Sequence, residues 1–358
     1  MTENKVKNYL DNLIQSNRIP GMQYVVIDPR EVRFEYYGGH RDVKARLPVV
    51  PETTFMASSS TKAVTAAATL QLVEEGTIQL DKPLIAYYAD HPYGNKVTIR
   101  HLLNQTSGIP NPLPLKWLHS AQEHDGFDED HALNETMRQN SKLLFEPGDK
   151  YSYSNIGYWL LGKVIQIASG KSFCGYLRER VFAPLGITSE ELGCMIPDIN
   201  GHAKGYQPKY SPLGIFLYLM MDRRLMNASE DGRVSLAPVY MNGPAYGGLI
   251  GTARGFGKFL QDQIRPESRL LGSATKSLFF SSQKTNRGQE TGTTLGWRIG
   301  RLSDELYYGK PGGGPGFRSN IRIYPKHGLA TAWFINETGV SESPINSFTD
   351  LLDRNFIG

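Results

Sequence analysis

The sequence predicts an α+β fold in which both chain ends build one antiparallel sheet, flanked by helices, around an inserted helical segment. Strand-like apolar patterns occur between residues 22 and 36 and return after residue 240. From about residue 77 onward the intervening sequence alternates helix signals with long loops. A chain of 358 residues has room for one or two domains. We therefore expect a sheet domain of residues 1–58 and 241–358, an all-helical domain of residues 59–240, and a functional site at their interface.

The composition is that of a folded globular protein. Hydrophobic residues make up 40% of the chain and aromatic residues 11%. The net charge is only +4, from 39 basic and 35 acidic residues, and no basic run is visible. We therefore expect no nucleic-acid partner.

The compartment is predicted from the N-terminus, the apolar runs and the cysteines. Residues 1–7 lack the apolar core of a signal peptide, and the longest apolar run, residues 215–221, is too short to cross a bilayer. Cys174 lies in an expected helix and Cys194 in an expected loop, with nothing that forces them to pair. We interpret them as free thiols in a reducing compartment. The sequence thus predicts a cytoplasmic protein without a membrane span.

The first elements are a helix and a hairpin. Residues 5–16 carry the spacing of an amphipathic helix. Residues 22–27 are largely apolar, residues 28–30 predict a turn, and alternating apolar residues follow at positions 32–36. The hairpin is expected to end at residues 38–39.

A helix over residues 60–75 follows, and the functional prediction depends on its start. Its apolar residues recur at the spacing of one buried face. Ser59 is thus expected at a helix N-terminus, where free N–H groups favour negative charge. Lys62 follows one turn later on the same side, and a desolvated lysine can take the proton of a serine hydroxyl. The same Ser-x-x-Lys spacing recurs at residues 273–276 and 281–284, so it does not identify the site alone.

Caps and stop signals outline the remaining elements. The middle helices are expected from Thr98 to Leu103, over residues 155–169 with Gly170 as the stop, and from Ser172 to a point before Pro184, with an irregular stretch at Pro110, Pro112 and Pro114. After residue 240, Thr252 should cap a helix that runs to Ile264, and residues 272–280 should form a shorter helix. Strands are expected at residues 295–299, 321–323 and 329–335, and Pro344 should begin the last helix.

Two further segments carry groups that suit acyl chemistry. Tyr153 and Asn155 lie two residues apart just before a helix, so both side chains could face one cleft. The phenol of Tyr153 could relay a proton, and the carboxamide of Asn155 could hold the substrate or Lys62. Lys310 begins a glycine-rich run to residue 317. Glycines let a substrate lie against bare backbone, and their N–H groups can bind an oxyanion. Lys310 adds a cation that would attract anionic groups.

Together these segments resemble the serine β-lactamase and penicillin-binding-protein superfamily, and most closely its class C-like branch, which includes esterases and D-amino-acid peptidases. Residues 72–81, 101–108, 146–148 and 247–254 also look like this branch, so that the resemblance covers roughly residues 20–336. The resemblance implies a β-lactamase/transpeptidase-like fold.

The resemblance also implies a role for each candidate residue. Ser59 would be the acylated nucleophile and Lys62 its general base. Tyr153 would move protons to and from the leaving group. Asn155, Lys310 and Gly312 would support the site and bind substrate. The backbone N–H groups of Ser59 and Gly313 would form the oxyanion hole, and neither a metal nor an organic cofactor would be needed.

This chain departs from the family pattern at two positions. Pro311 stands where penicillin-recognising members carry threonine or serine, which removes a hydrogen bond to a substrate carboxylate worth ~1.5–3 kcal/mol. Gln105 stands where many relatives have histidine. Lys310, in contrast, keeps the lysine of the β-lactamases where many esterases have histidine or tryptophan.

Other motifs have competing interpretations. Residues 157–164 nearly match a phosphate-binding loop but lie in an amphipathic helix, which favours core packing. Residues 119–131 contain three histidines among acidic residues, which could bind a metal but are more typical of an exposed loop. Residues 213–221 could line an acyl pocket, touch lipid or pack within the helical domain.

The sequence therefore predicts a serine hydrolase that works through an acyl-enzyme, with carboxylesterase activity on small acyl esters as the first choice. The alternatives are a β-lactamase or D-amino-acid peptidase, which Lys310 favours, and a non-catalytic scaffold of the same fold. The expected partner is a small-molecule ester or amide substrate. The sequence leaves the oligomeric state open.

Overall fold

The computed structural model describes residues 2–113, 117–339 and 342–357. Within them the α-helices are α1 Thr2–Gln15, α2 Thr61–Glu74, α3 Ile99–Leu103, α4 Glu129–Gln139, α5 Asn155–Ser169, α6 Phe173–Tyr176, α7 Pro212–Met220, α8 Pro244–Gly247, α9 Ala253–Ile264, α10 Ser273–Phe279 and α11 Glu342–Ile357. A π-helix, Leu177–Phe182, continues α6. The strands are β1 Gly21–Ile27, β2 Val32–Asp42, β3 Leu47–Pro48, β4 Phe55–Met56, β5 Leu118–Ser120, β6 Leu192–Gly193, β7 Tyr206–Pro208, β8 Met226–Glu230, β9 Arg233–Leu236, β10 Val239–Met241, β11 Ile250–Gly251, β12 Arg298–Leu302, β13 Glu305–Gly314, β14 Phe317–Tyr324 and β15 Leu329–Ile335.

Both ends of the chain build the central sheet, as the sequence predicted. Its strand order is β12-β13-β14-β15-β1-β2-β3, and every pairing is antiparallel. The first strand lies beside the last, with Met22 opposite Ile335 and Ile27 opposite Ala330. The predicted α+β fold is therefore confirmed. The division into domains at residues 58/59 and 240/241 stays a prediction.

Helices cover both faces of the sheet, which explains why all seven residues of β1 are buried. Successive side chains of a strand point to opposite faces. Tyr24 packs with Leu10 of α1 and Leu352 of α11, whereas Val25 belongs to the larger core that includes Phe256 of α9. α2 lies in this larger core, between the sheet and the helical part of the chain.

Helix boundaries follow the predicted caps closely. The side chains of Thr98, Ser172 and Thr252 each accept a hydrogen bond from the backbone of the following helix. α5 ends at Gly170, whose φ of 67° lies in the left-handed region. The near match to a phosphate-binding loop lies inside α5, where residues 155–165 are buried, and Lys163 pairs with Asp130.

Two predictions for the middle of the chain are wrong. Residues 77–240 include the short strands β5 to β9 and the start of β10, which form small sheets that the helical pattern did not indicate. Cys174 and Cys194 are not free thiols but form a disulfide. The fold brings their Cα atoms to 6.0 Å, a spacing that a disulfide spans. Pro114 of the predicted irregular stretch lies outside the described residues.

Within the described ranges, no helix is long and apolar enough to cross a membrane. The same ranges contain no cluster of three or more histidine, cysteine, aspartate or glutamate side chains placed to hold a metal ion. His119 and His124 instead hydrogen-bond to each other through Nε2 and Nδ1 at 2.8 Å, and burial lowers the pKa of both rings.

Candidate active site

Ser59 lies at the sharp turn between β4 and α2. Residues Ser58–Ser60 form a 3-10 turn that leads directly into the helix. Ser58 has a φ of 48°, in the left-handed region that non-glycine residues rarely adopt. Such strained conformations cluster at functional sites. The half-buried side chain of Ser59 is thus presented at the N-terminal end of α2, as the sequence predicted.

Lys62 is fully buried and its amine lies beside the Ser59 hydroxyl. Its Nζ is 3.2 Å from Ser59 Oγ, 2.8 Å from Asn155 Oδ1 and 2.5 Å from the carbonyl oxygen of Tyr246. A buried amine is costly unless it is hydrogen-bonded. Asn155 and Tyr246 satisfy this requirement and aim the amine at the hydroxyl.

Tyr153 approaches the same hydroxyl from the other side. Its phenol donates to Ser59 Oγ at 2.6 Å. Lys62 Nζ lies 4.9 Å from the centre of its ring, and Lys310 Nζ lies 5.9 Å from it. The structure therefore brings together the hydroxyl, the two amines and the phenol that the sequence singled out. Lys62 and Tyr153 both lie within hydrogen-bonding distance of Ser59 Oγ, which is the contact that proton transfer requires.

Two deeper tyrosines form the wall behind this cluster. Burial raises the pKa of Tyr158 well above its ordinary value, and its hydroxyl donates to the carbonyl of Leu103 at 2.9 Å. Burial also raises the pKa of Tyr246, whose hydroxyl donates to the carbonyl of Trp117 at 3.3 Å. Both hydroxyls are thus engaged with backbone carbonyls, whereas the Tyr153 hydroxyl contacts Ser59.

Hydrogen bonds hold the glycine-rich strand β13 against the serine turn. Ser60 Oγ donates to the carbonyl of Lys310 at 2.8 Å, and Ser319 Oγ donates to the carbonyl of Ala57 at 2.7 Å. A Cβ added at Gly312 would lie 2.5 Å from the Ala57 oxygen and 3.1 Å from the Ser59 nitrogen. Only glycine permits this close approach. Lys310 is 5% exposed on this strand, and Gly313 follows Gly312 in register with Arg318.

The other two Ser-x-x-Lys copies do not form such a cluster. Lys276 donates to the backbone carbonyl of Arg265. Lys284 pairs with Glu290 at 3.4 Å on the surface. The structure thus distinguishes the Ser59 copy from two segments that look alike in sequence.

Gln105 is a residue whose contribution the sequence reasoning missed. Its side chain accepts from the backbone N–H of Ser154 at 2.5 Å and donates to the Ser154 carbonyl at 3.3 Å. Its own carbonyl accepts from the N–H of Ser152 at 2.8 Å. These hydrogen bonds fix the backbone of both residues that flank Tyr153. The departure from histidine at this position was the signal that could have drawn attention to it.

Gln105→Ala is expected to lower kcat about 10- to 100-fold, because it would misplace Tyr153, the residue that the sequence predicts to move protons at this site. Gln105→Glu retains the acceptor for the Ser154 N–H and should lose less activity. Steady-state kinetics on an activated ester measures this. Gln139→Ala, which removes an exposed amide on α4, is the matched control. Gln105→Ala with unchanged kcat and only a raised KM would contradict a role in positioning Tyr153.

The fold and the site together define a class of protein. Three motifs meet at one point: Ser-x-x-Lys at a helix start, Tyr-x-Asn before a second helix, and Lys-x-Gly on a strand. This combination is typical of the β-lactamase and penicillin-binding-protein class of serine hydrolases. The chain belongs to the Beta-lactamase family, whose model matches residues 6–352.

Comparison with individual relatives gives moderate identities. The chain is 24% identical over 311 residues to "Penicillin-binding protein 4*" of Bacillus subtilis (strain 168), a match that covers 86% of this chain and 66% of that protein. It is 27% identical over 194 residues to "Protein flp" of Staphylococcus aureus (strain MRSA252), covering 52% of this chain and 38% of the relative. The matches thus span less than two thirds of these relatives.

Solved structures match over almost the whole chain. The octameric penicillin-binding protein homologue from Pyrococcus abyssi has a TM-score of 0.78 at 24% identity, with 98% of this chain and 76% of that chain covered. The D-amino acid amidase from Ochrobactrum anthropi SV3 has a TM-score of 0.79 at 22% identity, with 100% and 99% covered. At these identities the likeness shows the fold alone.

Proposed function

We propose that this chain is a carboxylesterase that cleaves small acyl esters through a covalent acyl-enzyme on Ser59. The observation that carries the proposal is the position of Ser59 Oγ, within hydrogen-bonding distance of both Lys62 Nζ and Tyr153 OH. A serine becomes a competent nucleophile when an adjacent base removes its proton. Lys62 is the base in this proposal, and Tyr153 is the proton relay.

The reaction balances with these groups alone. The Ser59 oxygen bonds to the ester carbonyl carbon while its proton passes to the uncharged amine of Lys62. The carbonyl oxygen becomes an oxyanion, which the backbone N–H groups of Ser59 and Gly313 would bind. The carbon–alkoxy bond then breaks as the carbonyl re-forms, and the Lys62 ammonium passes its proton through Tyr153 to the departing alkoxide, which leaves as the alcohol. Water attacks the acyl-enzyme by the reverse sequence and releases the carboxylic acid and Ser59.

Esters are the first choice because they ask less of this site than amides do. An alkoxide leaves more readily than an amine, so an ester needs less assistance from bonds to remote parts of the substrate. Pro311 lacks the hydroxyl that would bind a substrate carboxylate. An uncharged ester does not need that bond.

Cleavage of a β-lactam or of a D-amino-acid amide or peptide is the second candidate. The buried Lys310 favours it, since this cation lies beside Tyr153 and suits a substrate with a carboxylate. The fold is shared with a protein described as a D-amino acid amidase.

The cytoplasmic location stays a prediction. One of its supports was the interpretation of Cys174 and Cys194 as free thiols, and these residues form a disulfide. Disulfides persist mainly in oxidising compartments.

A substrate panel separates the candidate functions. We expect turnover of a short-chain p-nitrophenyl ester at least tenfold faster, in kcat/KM, than that of a chromogenic cephalosporin or a D-amino-acid p-nitroanilide. Ser59→Ala should abolish all of it. Mass spectrometry after treatment with a fluorophosphonate probe should find the adduct on Ser59.

The same panel contains the outcomes that would overturn the proposal. Faster turnover of the cephalosporin or the anilide would favour the second candidate. Absence of turnover on every substrate, without probe labelling, would favour the non-catalytic scaffold. A probe adduct on Ser273 or Ser281 would identify that serine, and not Ser59, as the nucleophile.

A further inference from the structure

The helix α7 carries a concentrated set of exposed apolar side chains. Ile215, Phe216, Leu219 and Met220 are 52%, 41%, 69% and 51% exposed. Their spacing places them on one side of the helix. Tyr210, just before the helix, is 78% exposed. Scattered surface apolar residues are ordinary, but a contiguous patch of this kind marks an interaction surface. We call these five residues the α7 face.

The other side of α7 is fixed to the protein, so the α7 face is held outward. A Cβ at Gly214 would lie 1.7 Å from the carbonyl oxygen of Pro208 in β7, so this turn of the helix sits directly on the strand. Met221, which follows the helix, is buried, and Gln207 Nε2 donates to its sulfur at 3.2 Å. The helix is therefore a docked element with one covered side and one open side.

Exposed basic residues stand at both ends of the α7 face. Lys209 precedes the helix, and Arg223 and Arg224 follow it. The acidic residue in the same stretch, Asp222, pairs with Arg224, which also lies 3.5 Å from Glu123. An apolar helix face with an aromatic residue at its edge and basic residues around it is the pattern of helices that lie in the interface of an anionic membrane. The basic residues and the exposed apolar side chains thus both suit an anionic membrane surface.

We propose that the α7 face docks onto the surface of an anionic lipid bilayer. The nine residues of α7 span about 13 Å, so the helix would lie in the interfacial layer rather than cross it. Leu219 and Phe216 would insert at the level of the upper acyl chains. Lys209 and Arg223 would contact the lipid phosphates.

Docking would also bring the bilayer to the candidate active site, a step that rests on the proposed function. The small sheet β7-β9-β8 lies beneath α7. A Cβ at Gly205, just before β7, would lie 2.8 Å from the Phe317 ring, and one at Gly316 would lie 3.0 Å from Leu236 of β9. Gly316 lies in the turn between β13 and β14, and Phe317 begins β14 opposite Gly314 of β13, the strand of Lys310 and Gly312. Esters dissolved in the membrane would therefore reach the site from its surface.

The docking is tested by flotation with vesicles, using the full chain with Ser59→Ala so that hydrolysis does not alter the lipid. We expect binding to phosphatidylglycerol vesicles and at least tenfold weaker binding to phosphatidylcholine vesicles. Phe216→Glu with Leu219→Glu should weaken binding to phosphatidylglycerol by at least about tenfold. Lys209→Glu should weaken it about fivefold. Ile167→Glu, at a residue of α5 that is 52% exposed, is the matched control and should bind as before.

Several results would overturn the docking proposal. These are absence of flotation, equal binding to both lipids, or equal loss in the Ile167→Glu control. Another is a wild-type dimer that becomes monomeric in Phe216→Glu/Leu219→Glu without any vesicle binding, since a second copy would then cover the α7 face. Phe216→Glu/Leu219→Glu is also made in the chain that retains Ser59. Hydrolysis of a water-soluble ester by this protein would show that the double variant is folded. Vesicle binding without ester turnover would refute the proposed function and leave the docking intact.

Discussion

Replacement of Lys62 by methionine is expected to lower kcat for ester hydrolysis by at least about 10³-fold, to the same floor as Ser59→Ala. Methionine matches the length of the lysine stem but can neither accept the Ser59 proton nor bond to Asn155 Oδ1 and the Tyr246 carbonyl. The serine hydroxyl would then remain protonated when substrate binds. Single-turnover kinetics on an activated ester measures the acylation step directly.

The double variant Ser59→Ala/Lys62→Met gives the sharper result. Because a nucleophile and its base act as a unit, we expect the double variant to be no slower than either single one. Lys163→Met is the matched control. Lys163 is a largely buried lysine that pairs with Asp130, and its loss should leave kcat within a few-fold of the wild type. If Lys62→Met retained more than a tenth of the activity while Tyr153→Phe lost it, Tyr153 would be the base.

The parts of the site that the sequence revealed are those that depend on local patterns. α5 occupies residues 155–169 and β15 occupies residues 329–335, both as predicted. Helix caps, stop signals and apolar periodicity each involve residues only a few positions apart, so the sequence alone reveals them. Ser59 and Lys62 are one helical turn apart, so a helix alone brings them together. Tyr153 and Lys310 were placed beside them only through a family resemblance.

The parts that the sequence did not reveal depend on contacts between distant segments. The hydrogen bond between Gln105 and Ser154 joins residues 49 positions apart, so no local sequence pattern predicts it. The disulfide between Cys174 and Cys194 depends on the tertiary path of the chain between α6 and the end of β6. The short strands β5 to β10 have too few residues to show an alternation, so the helical signals around them dominated the interpretation.

The largest loss of stability is expected at a buried charge cluster between the central sheet and α11. Asp353 is 0% exposed and accepts hydrogen bonds from the hydroxyls of Tyr24 in β1, Tyr324 in β14 and Thr331 in β15, at 2.6–2.9 Å. Burial raises the pKa of its carboxyl, although Arg322 acts in the opposite direction. One carboxyl group thus connects three neighbouring strands to the last helix.

Arg322 supplies the positive charge in the same cluster. Its side chain is 0% exposed, and Nη1 lies 2.6 Å from Asp350 Oδ1 and 4.0 Å from Asp353 Oδ2. Its guanidinium also stacks on the Tyr307 ring at 3.9 Å. A pair of buried charges adds little stability beyond apolar side chains of the same size, but loss of Arg322 would leave the buried Asp353 carboxyl without its cation. Loss of Asp353 would leave three hydroxyl donors without their acceptor, although Arg322 would keep its pair with Asp350.

Arg322→Met and Asp353→Leu are therefore each expected to lower the free energy of unfolding by about 3–5 kcal/mol. The double variant should lose less than the sum of the two, since it removes both buried charges together. Urea unfolding followed by circular dichroism measures this as a lower midpoint at an unchanged slope. Lys326→Met is the matched control, because it breaks the exposed pair with Glu305 and should cost under about 1 kcal/mol. Losses that simply add in the double variant would show that Arg322 and Asp353 act independently, which would refute the buried cluster as a single stabilising unit.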